Sequence, residues 1–389
     1  MDKKGGLHIV QVSWDDAVFR ENGRSDARTR QVRYAAELLS QSPGSRMSIM
    51  VLARSPDYGE IHQSNLRLIP LQFLGRRSFV TLLWRLFKLH RRLPIRVLTC
   101  QDVAEMGWWV LFFGLLLRIP VVGQMHYDLF SPYAQRDCLG GDWKGRLRLF
   151  ITLSLLPLYS ALRVVGSGIR QGLIRRGFRK RIALIPVPVS MADEKDDACA
   201  AVSRDCATRR PVVLFVGRLV WQKNLSLWLR VASRIAELEP TARFRIIGEG
   251  PLRKSLEEQC TRLGLEGVVE FVGEVAYHQL SSHYNEASVF LLTSLYEGFG
   301  RVLAEAGWHH LPVVATRITG VEDIVDDGIT GFLHHHNGTE EMARSAVRLL
   351  QDNALRERMG SAGHIKVRVA FDPDRLTKAW VRLLVDQAV

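Results

Sequence analysis

Leu292-Thr-Ser-Leu-Tyr-Glu297-Gly-Phe-Gly-Arg-Val-Leu-Ala-Glu305-Ala306 is the stretch on which the reading of the fold turns. The apolar run Val289–Leu292 has the length and composition of a buried strand, and Arg301–Trp308 has helical periodicity. A strand, a glycine loop and a helix in that order form half of a βαβ unit, with the loop at the carboxyl end of the strand. Gly298 and Gly300 let backbone approach a ligand closely, and the helix start offers unpaired N–H groups to an anion. Glu297 precedes the helix and Glu305 lies inside it. Both accept hydrogen bonds from hydroxyls, and both would repel a phosphate. A ligand with phosphate and sugar hydroxyls fits that mixture. Taken alone, the spacing also fits a loop with two solvated glutamates.

The same half-unit recurs upstream. Val216-Gly217-Arg218-Leu-Val-Trp-Gln-Lys223-Asn224 joins a strand at Val212–Val216 to a helix at Leu225–Leu238. Arg218 and Lys223 can both reach one diphosphate, Arg as a bidentate fork and Lys as a point charge; the same residues also fit an exposed basic loop. Gly248-Glu-Gly250-Pro-Leu252 follows a strand at Arg243–Ile247 and by itself reads as a turn opening the helix Pro251–Leu263. Strands at Val268–Val272 and Val313–Ala315, with helices at Tyr277–Glu286 and Glu340–Asn353, complete this unit.

The first half alternates in the same way. Its strands fall at Leu7–Val12, Ser48–Leu52, Leu66–Pro70, Arg96–Cys100, Pro120–Met125, Leu162–Val165 and Ile182–Ile185. Its helices fall at Ala27–Leu39, Phe79–Arg91, Val103–Leu117, Trp143–Ser160 and Ile169–Arg176. His126 sits at the carboxyl end of a strand, where it can donate to a sugar hydroxyl, hold a proton or serve as a structural histidine. The predicted fold is α/β: two Rossmann-like doubly wound domains, residues 1–190 and 211–372, facing across a cleft. Residues 191–210 (MADEKDDACAAVSRDCATRR) read as a linker. A last helix, capped by Asp372 and started by Pro373, is expected to pack on the first domain. Ligands of such sheets bind at the carboxyl ends of strands, so domain closure is expected to assemble the site.

Composition narrows the class. The 389 residues are 47% hydrophobic and 24% charged, which excludes a disordered chain. Five Cys without a Cys-x-x-Cys pair argue against a disulfide framework or zinc site and point to a reducing cytoplasm. The start of the chain does not read as a signal peptide, and Arg118 and Pro120 interrupt the most apolar stretch, so no membrane span is expected. Residues 1–190 carry 29 Lys/Arg against 13 Asp/Glu, whereas residues 191–389 carry 24 against 27. Leu83–Arg92 and Trp143–Phe150 mix cations with aromatics and leucines; such faces can lie on anionic lipid or pack on the sheet with their charges solvated. No helix-turn-helix, zinc or RNA-recognition signature accompanies the basic charge, so no nucleic-acid partner is expected. Asp372-Pro-Asp374 reads as a helix cap rather than a metal motif, and His334-His-His336 as a solvated loop.

Together these segments resemble the family 4 retaining glycosyltransferases of the GT-B fold. The resemblance covers most of the chain and is strongest over residues 211–333. It rests on Glu297-x7-Glu305, Gly217-Arg-Leu through Lys223-Asn224, Ile247-Gly-Glu-Gly-Pro-Leu252, Glu270-Phe-Val-Gly-Glu274 and Asp327-Gly-Ile-Thr-Gly-Phe-Leu333. Ile119-Pro-Val-Val through His126, Val165-Gly-Ser-Gly and Ile185-Pro-Val-Pro-Val extend it into the first half. It implies that Arg218 and Lys223 neutralise the donor diphosphate. It also implies that Glu297 binds donor-sugar hydroxyls beside the backbone of Gly298, Phe299 and Gly300, that Glu305 holds the ribose, and that His126 contacts the sugar. The base would lie near Gly248–Leu252 and Val272–Glu274, largely on backbone groups, with Gly217, Gly248, Gly250, Leu252 and Val272 among the donor-binding residues. The implied enzyme is a glycosyltransferase, a hexosyltransferase, without metal or cofactor. Its donor would be a UDP- or GDP-sugar and its acceptor a glycan or lipid-linked hydroxyl. The setting would be surface polysaccharide or glycolipid assembly, in the cytoplasm or peripheral on the inner membrane face. Two segments depart from the family pattern: the loop after the first strand has only Gly23 in place of Gly-Gly, and Thr319-Gly-Val-Glu-Asp323 replaces Gly-Gly-Val-Pro-Glu. A glycan phosphorylase would need a lysine-bound pyridoxal cofactor and a longer chain. The alternative to transfer is a catalytically degenerate relative that binds nucleotide or anionic surfaces.

Overall fold

The computed structural model describes residues 6–19, 26–53, 58–75, 77–178, 180–189 and 211–388, with backbone alone at 138 and 139. The expected linker and Gly23 lie outside the described residues. The chain divides into two compact units, Met1–Pro188 with Pro373–Val389 and Val189–Asp372.

The first unit holds strands β1 (His8–Ser13), β2 (Arg46–Ala53), β3 (Ile61–Gln63), β4 (Leu66–Gln72), β5 (Val97–Cys100), β6 (Val121–Met125), β7 (Ala161–Val164) and β8 (Arg181–Leu184), in the order β3-β4-β2-β1-β5-β6-β7-β8. All pairings are parallel except β3 with β4. A parallel sheet covered on both faces selects for apolar strands, and β1, β5 and β6 are buried at every position. β3 has no counterpart in the sequence reading. It is a short, largely exposed edge strand, turned back by Ser64 at φ 53°, and lacks the apolar signal of its neighbours.

Helices α1 (Ala27–Gln41), α2 (Arg77–Arg92), α3 (Glu105–Leu117), α4 (Trp143–Leu155) and α5 (Ser167–Arg175) connect these strands. The crossover through α1 runs from β1 to β2, in one direction across the sheet. Those through α2, α3 and α4 run the other way, so right-handed crossovers place them together on the opposite face. α4 stops at Leu155 rather than reaching Ser160, because Pro157 has no N–H to continue the ladder and the chain tightens into a 3-10 turn at Leu156–Leu158.

The second unit has six parallel strands: β9 (Val212–Val216), β10 (Arg243–Ile247), β11 (Val269–Gly273), β12 (Val289–Leu292), β13 (Val313–Thr316) and β14 (Gly331–His334), ordered β11-β10-β9-β12-β13-β14. Helices α6 (Leu225–Leu238), α7 (Arg253–Arg262), α8 (Leu280–Glu286), α9 (Arg301–Trp308), α10 (Thr339–Gln351) and α11 (Asn353–Ala370) cover it. Trp228 anchors the core: its ring meets Phe215 and Phe244 edge-on, and its Nε1 donates to the Leu291 carbonyl at 3.0 Å. The chain leaves β9 toward β10 and later returns to β9's other side with β12. A crevice therefore opens at the carboxyl ends of β9 and β12.

Two elements here depart from the sequence reading. β14 makes His334 the end of a strand rather than part of a loop, with its Nε2 at 2.9 Å from Ser345 Oγ. α11 was hidden because its buried stripe includes Gly360 and Gly363 in place of large apolar residues. A methyl group at Gly360 would stand 2.0 Å from the His310 carbonyl oxygen, so the small residue is what lets the segments approach. The last helix, α12 (Pro373–Val385), starts at Pro373 and belongs to the first unit.

Candidate functional site

The crevice of the second unit is built by two loops from adjacent strands. Lys223 follows β9 and Glu297 follows β12, and their side chains meet with Nζ donating to Oε1 at 2.5 Å. The pair is largely buried, at 12% and 7% side-chain exposure, so both charges need each other. Ser294 Oγ donates to the same oxygen at 2.7 Å, and among the described residues nothing bonds Oε2.

Backbone contacts lace the two loops together. Thr293 Oγ1 bonds the carbonyls of Lys223 and Asn224, each at 3.1 Å. The Leu295 N–H donates to Gln222 O at 2.9 Å, and Gln222 Nε2 donates back to Tyr296 O at 3.0 Å. Thr316 Oγ1 holds Ser294 O at 2.6 Å. Gly320, the glycine of the Thr319–Asp323 segment, is packed on the site. A methyl group there would lie 2.7 Å from Glu297 O and 3.1 Å from Gly298 O. Gly300 takes the left-handed conformation, φ 67°, as the residue that starts α9. The Phe299 ring is buried edge-on against Phe371 at 5.0 Å, so only its backbone remains to serve a ligand.

Arg218 is exposed in the β9 loop, and a methyl group at Gly217 would stand 3.6 Å from Lys223 Cε. The β10 loop rests directly on the β9 loop. Gly217 N–H donates to Ile247 O at 2.9 Å, Leu219 N–H to Glu249 O at 2.9 Å and Leu252 N–H to Leu219 O at 3.1 Å. Gly248, at φ 131°, and Gly250 have no room for a side chain: a methyl group would stand 2.0 Å from Gly217 O and 2.4 Å from Leu219 O respectively. Leu252 and Val272 are half-buried beside them. Glu305 is buried in α9; Tyr284 OH donates to Oε2 at 2.9 Å, and Arg301 forms an ion pair with Oε1 at 3.0 Å. The carboxylate is thus held rigidly, with its charge already countered.

In the first unit His126 lies just past β6, half-buried. Its surroundings fix its chemistry. Arg163 and Gln124 face each other across β7 and β6, and Arg163 Nη1 donates to Gln124 Oε1 at 3.3 Å. Guanidinium groups only donate, so that atom is oxygen, and His126 Nε2, 3.3 Å away, must carry the hydrogen. Nδ1, which has no partner among the described residues, is then an acceptor. Burial and the Arg163 and Arg30 charges push the His126 pKa down to about 3. The expectation that His126 donates to a sugar or holds a proton is therefore corrected: near neutral pH it is uncharged and offers a lone pair.

Because folding favours the neutral ring, its stabilising contribution is complete above the unfolded pKa of 6.5 and is lost as pH falls toward 3. The expected NMR result is a His126 ring signal with no titration step between pH 8 and 5. A midpoint near 6.5 would remove this assignment.

The sequence reading missed Arg163, Ser294, Thr316 and the purpose of Gly320. The signal for Arg163 was present: a cation inside an otherwise apolar strand, Ala161–Val164. Its Nε and Nη2 donate to Ile185 O at 3.0 Å and Pro186 O at 2.9 Å, and its guanidinium lies 4.7 Å from the centroid of the Trp380 ring in α12. Among the described residues no group of three or more His, Cys, Asp or Glu could hold a metal ion, and no helix is long and apolar enough to cross a membrane.

Residues 203–365 match the family described as glycosyl transferases group 1, and residues 28–188 match the glycosyl transferase 4-like domain. The chain belongs to the family 4 type of GT-B glycosyltransferases. Alpha-D-kanosaminyltransferase of Streptomyces kanamyceticus is 34% identical over 150 residues, 39% of each chain. The matched stretch thus spans well under half of that relative. Sucrose-phosphate synthase from Thermosynechococcus elongatus has the same fold, with TM-score 0.81, 19% identity and 98% of each chain covered. The Anabaena protein HepE, solved with UDP and glucose, superposes with TM-score 0.69 at 16% identity, over 98% of this chain and 100% of that one.

Proposed function

We propose that this chain is a metal-independent hexosyltransferase that moves the sugar of a UDP- or GDP-sugar onto a hydroxyl of a glycan or lipid-linked acceptor, with retention of configuration, in surface polysaccharide or glycolipid assembly. The observation that carries the reading is the buried Lys223–Glu297 pair at the carboxyl ends of adjacent strands, where a cation and a hydroxyl-binding carboxylate are held side by side. The acceptor oxygen bonds to the anomeric carbon as the carbon–oxygen bond to phosphate breaks. The electron pair leaves with the diphosphate, and the acceptor proton passes to a phosphate oxygen on the same face. Lys223 and Arg218 stabilise the charge that develops there. Glu297 takes sugar hydroxyls on Oε2 beside the backbone of Gly298, Phe299 and Gly300. Glu305 holds the ribose, Gly248, Gly250, Leu252 and Val272 surround the base, and His126 Nδ1 accepts from a sugar hydroxyl. HepE's complex with UDP and glucose supports the donor class.

Calorimetric titration with UDP, GDP and ADP, in chelator, tests the site. The expected outcome is selective binding of UDP or GDP, weakened at least about tenfold in Arg218→Ala, since a charge-assisted contact is worth more than about 1.4 kcal/mol. A folded protein that binds none of the three would overturn the reading.

A further inference from the structure

α3 carries no charge after Glu105, and its apolar residues surround the whole helix. Such a helix belongs inside a core or against lipid. Here one side packs on the sheet, yet Phe112 is 56% and Leu116 67% exposed on the other. The neighbouring helices repeat this. Trp84 of α2 and Trp143 and Phe150 of α4 are 56%, 68% and 68% exposed. In α4, Trp143 and Phe150 are two turns apart and so share one side of the helix. The three helices adjoin: Phe79 of α2 stacks on Trp109 of α3 at 5.6 Å, and Trp108 Nε1 of α3 donates to Thr152 Oγ1 of α4 at 3.2 Å.

The charge of this face is predominantly positive, although the exposed Asp142 caps the start of α4 beside Trp143. α2 carries five Lys/Arg and α4 three, with no Asp or Glu on either. Glu105, the single carboxylate of α3, is paired with Arg148 at 2.9 Å. Several cations sit over the exposed rings: Arg85 and Lys88 over Trp84, Arg91 over Phe87 and Lys144 over Trp143. Apolar tips collared by cations match the two layers of an anionic bilayer surface, with acyl chains below and phosphate headgroups above.

We propose that α2, α3 and α4 together form a docking face for an anionic lipid bilayer. A second copy of the chain is disfavoured as the occupant, because a symmetric contact would set cations against cations. Docking is separate from the nucleotide site, since none of these residues belongs to it.

Co-sedimentation of the full chain with vesicles tests this. Phosphatidylcholine vesicles containing phosphatidylglycerol should bind at least about tenfold more tightly than phosphatidylcholine alone, and added salt should reduce the difference. Phe112→Ser/Leu116→Ser and, separately, Lys88→Glu/Arg91→Glu should each weaken binding about tenfold or more, with nucleotide titrations unchanged. Absence of binding by the folded wild type, or wild-type binding in both variants, overturns the proposal. So does a wild-type dimer in light scattering that Phe112→Ser/Leu116→Ser disperses, because the face would then be covered by a second copy.

Discussion

Lys223→Ala is expected to lower turnover by about a hundred- to a thousandfold, the usual cost of removing one preorganised group that stabilises developing negative charge. Two effects are combined in that variant. The cation beside the leaving diphosphate is lost, and Glu297 is left charged and buried with only Ser294 to satisfy it. The second effect destabilises the fold by about 3–5 kcal/mol, the typical cost of breaking a buried pair from one side. Lys223→Ala/Glu297→Gln separates them. Removing the orphaned charge should recover much of the thermal stability, whereas turnover should stay low because the cation is still missing. Steady-state kinetics and melting curves on both variants suffice. Turnover within tenfold of wild type in folded Lys223→Ala would overturn the phosphate role.

The second large effect belongs to a residue with no functional group. Gly248→Ala is expected to abolish nucleotide binding and lower the melting temperature by many degrees. Its φ of 131° is unfavourable for any L side chain, and the new methyl group would stand 2.0 Å from Gly217 O. The collision is with backbone, so no rotamer change relieves it, and the β9 and β10 loops must separate. Gly264 is the internal control. It also has positive φ, at 67°, but nothing lies within 4 Å of an added methyl group. Gly264→Ala should cost only about 1–2 kcal/mol, the penalty of the left-handed conformation itself. Equal effects of the two substitutions on melting and on calorimetric nucleotide binding would mean that loop packing does not matter.

Much of this architecture was legible because buried parallel strands announce themselves locally. Val212–Val216, Arg243–Ile247 and Val289–Leu292 match their predicted limits to the residue. Elements without an apolar signature were not legible: the polar edge strand Ile61–Gln63, and α11, whose contact face is partly glycine. The site shows the same division. The sequence places Lys223 and Glu297 in strand-to-helix loops, but their bond spans 74 residues and exists because β12 returns to β9. The state of His126 was illegible for the same reason. It depends on Arg163, a neighbour only through strand pairing.

The placement of α12 has a consequence for biosynthesis. Residues 189–372 form one uninterrupted unit, but the first unit is discontinuous and includes Pro373–Val389. A ribosome therefore delivers β1 to β8 well before the helix whose Trp380 covers the Arg163 guanidinium. At about 5–20 residues per second, the intervening stretch takes roughly 10–40 s to synthesise. During that interval the face that receives Trp380 is open to solvent, and the second unit can complete its own core first. The half of the molecule made first is thus the half finished last, and chaperone engagement of the nascent chain should concentrate on that waiting face.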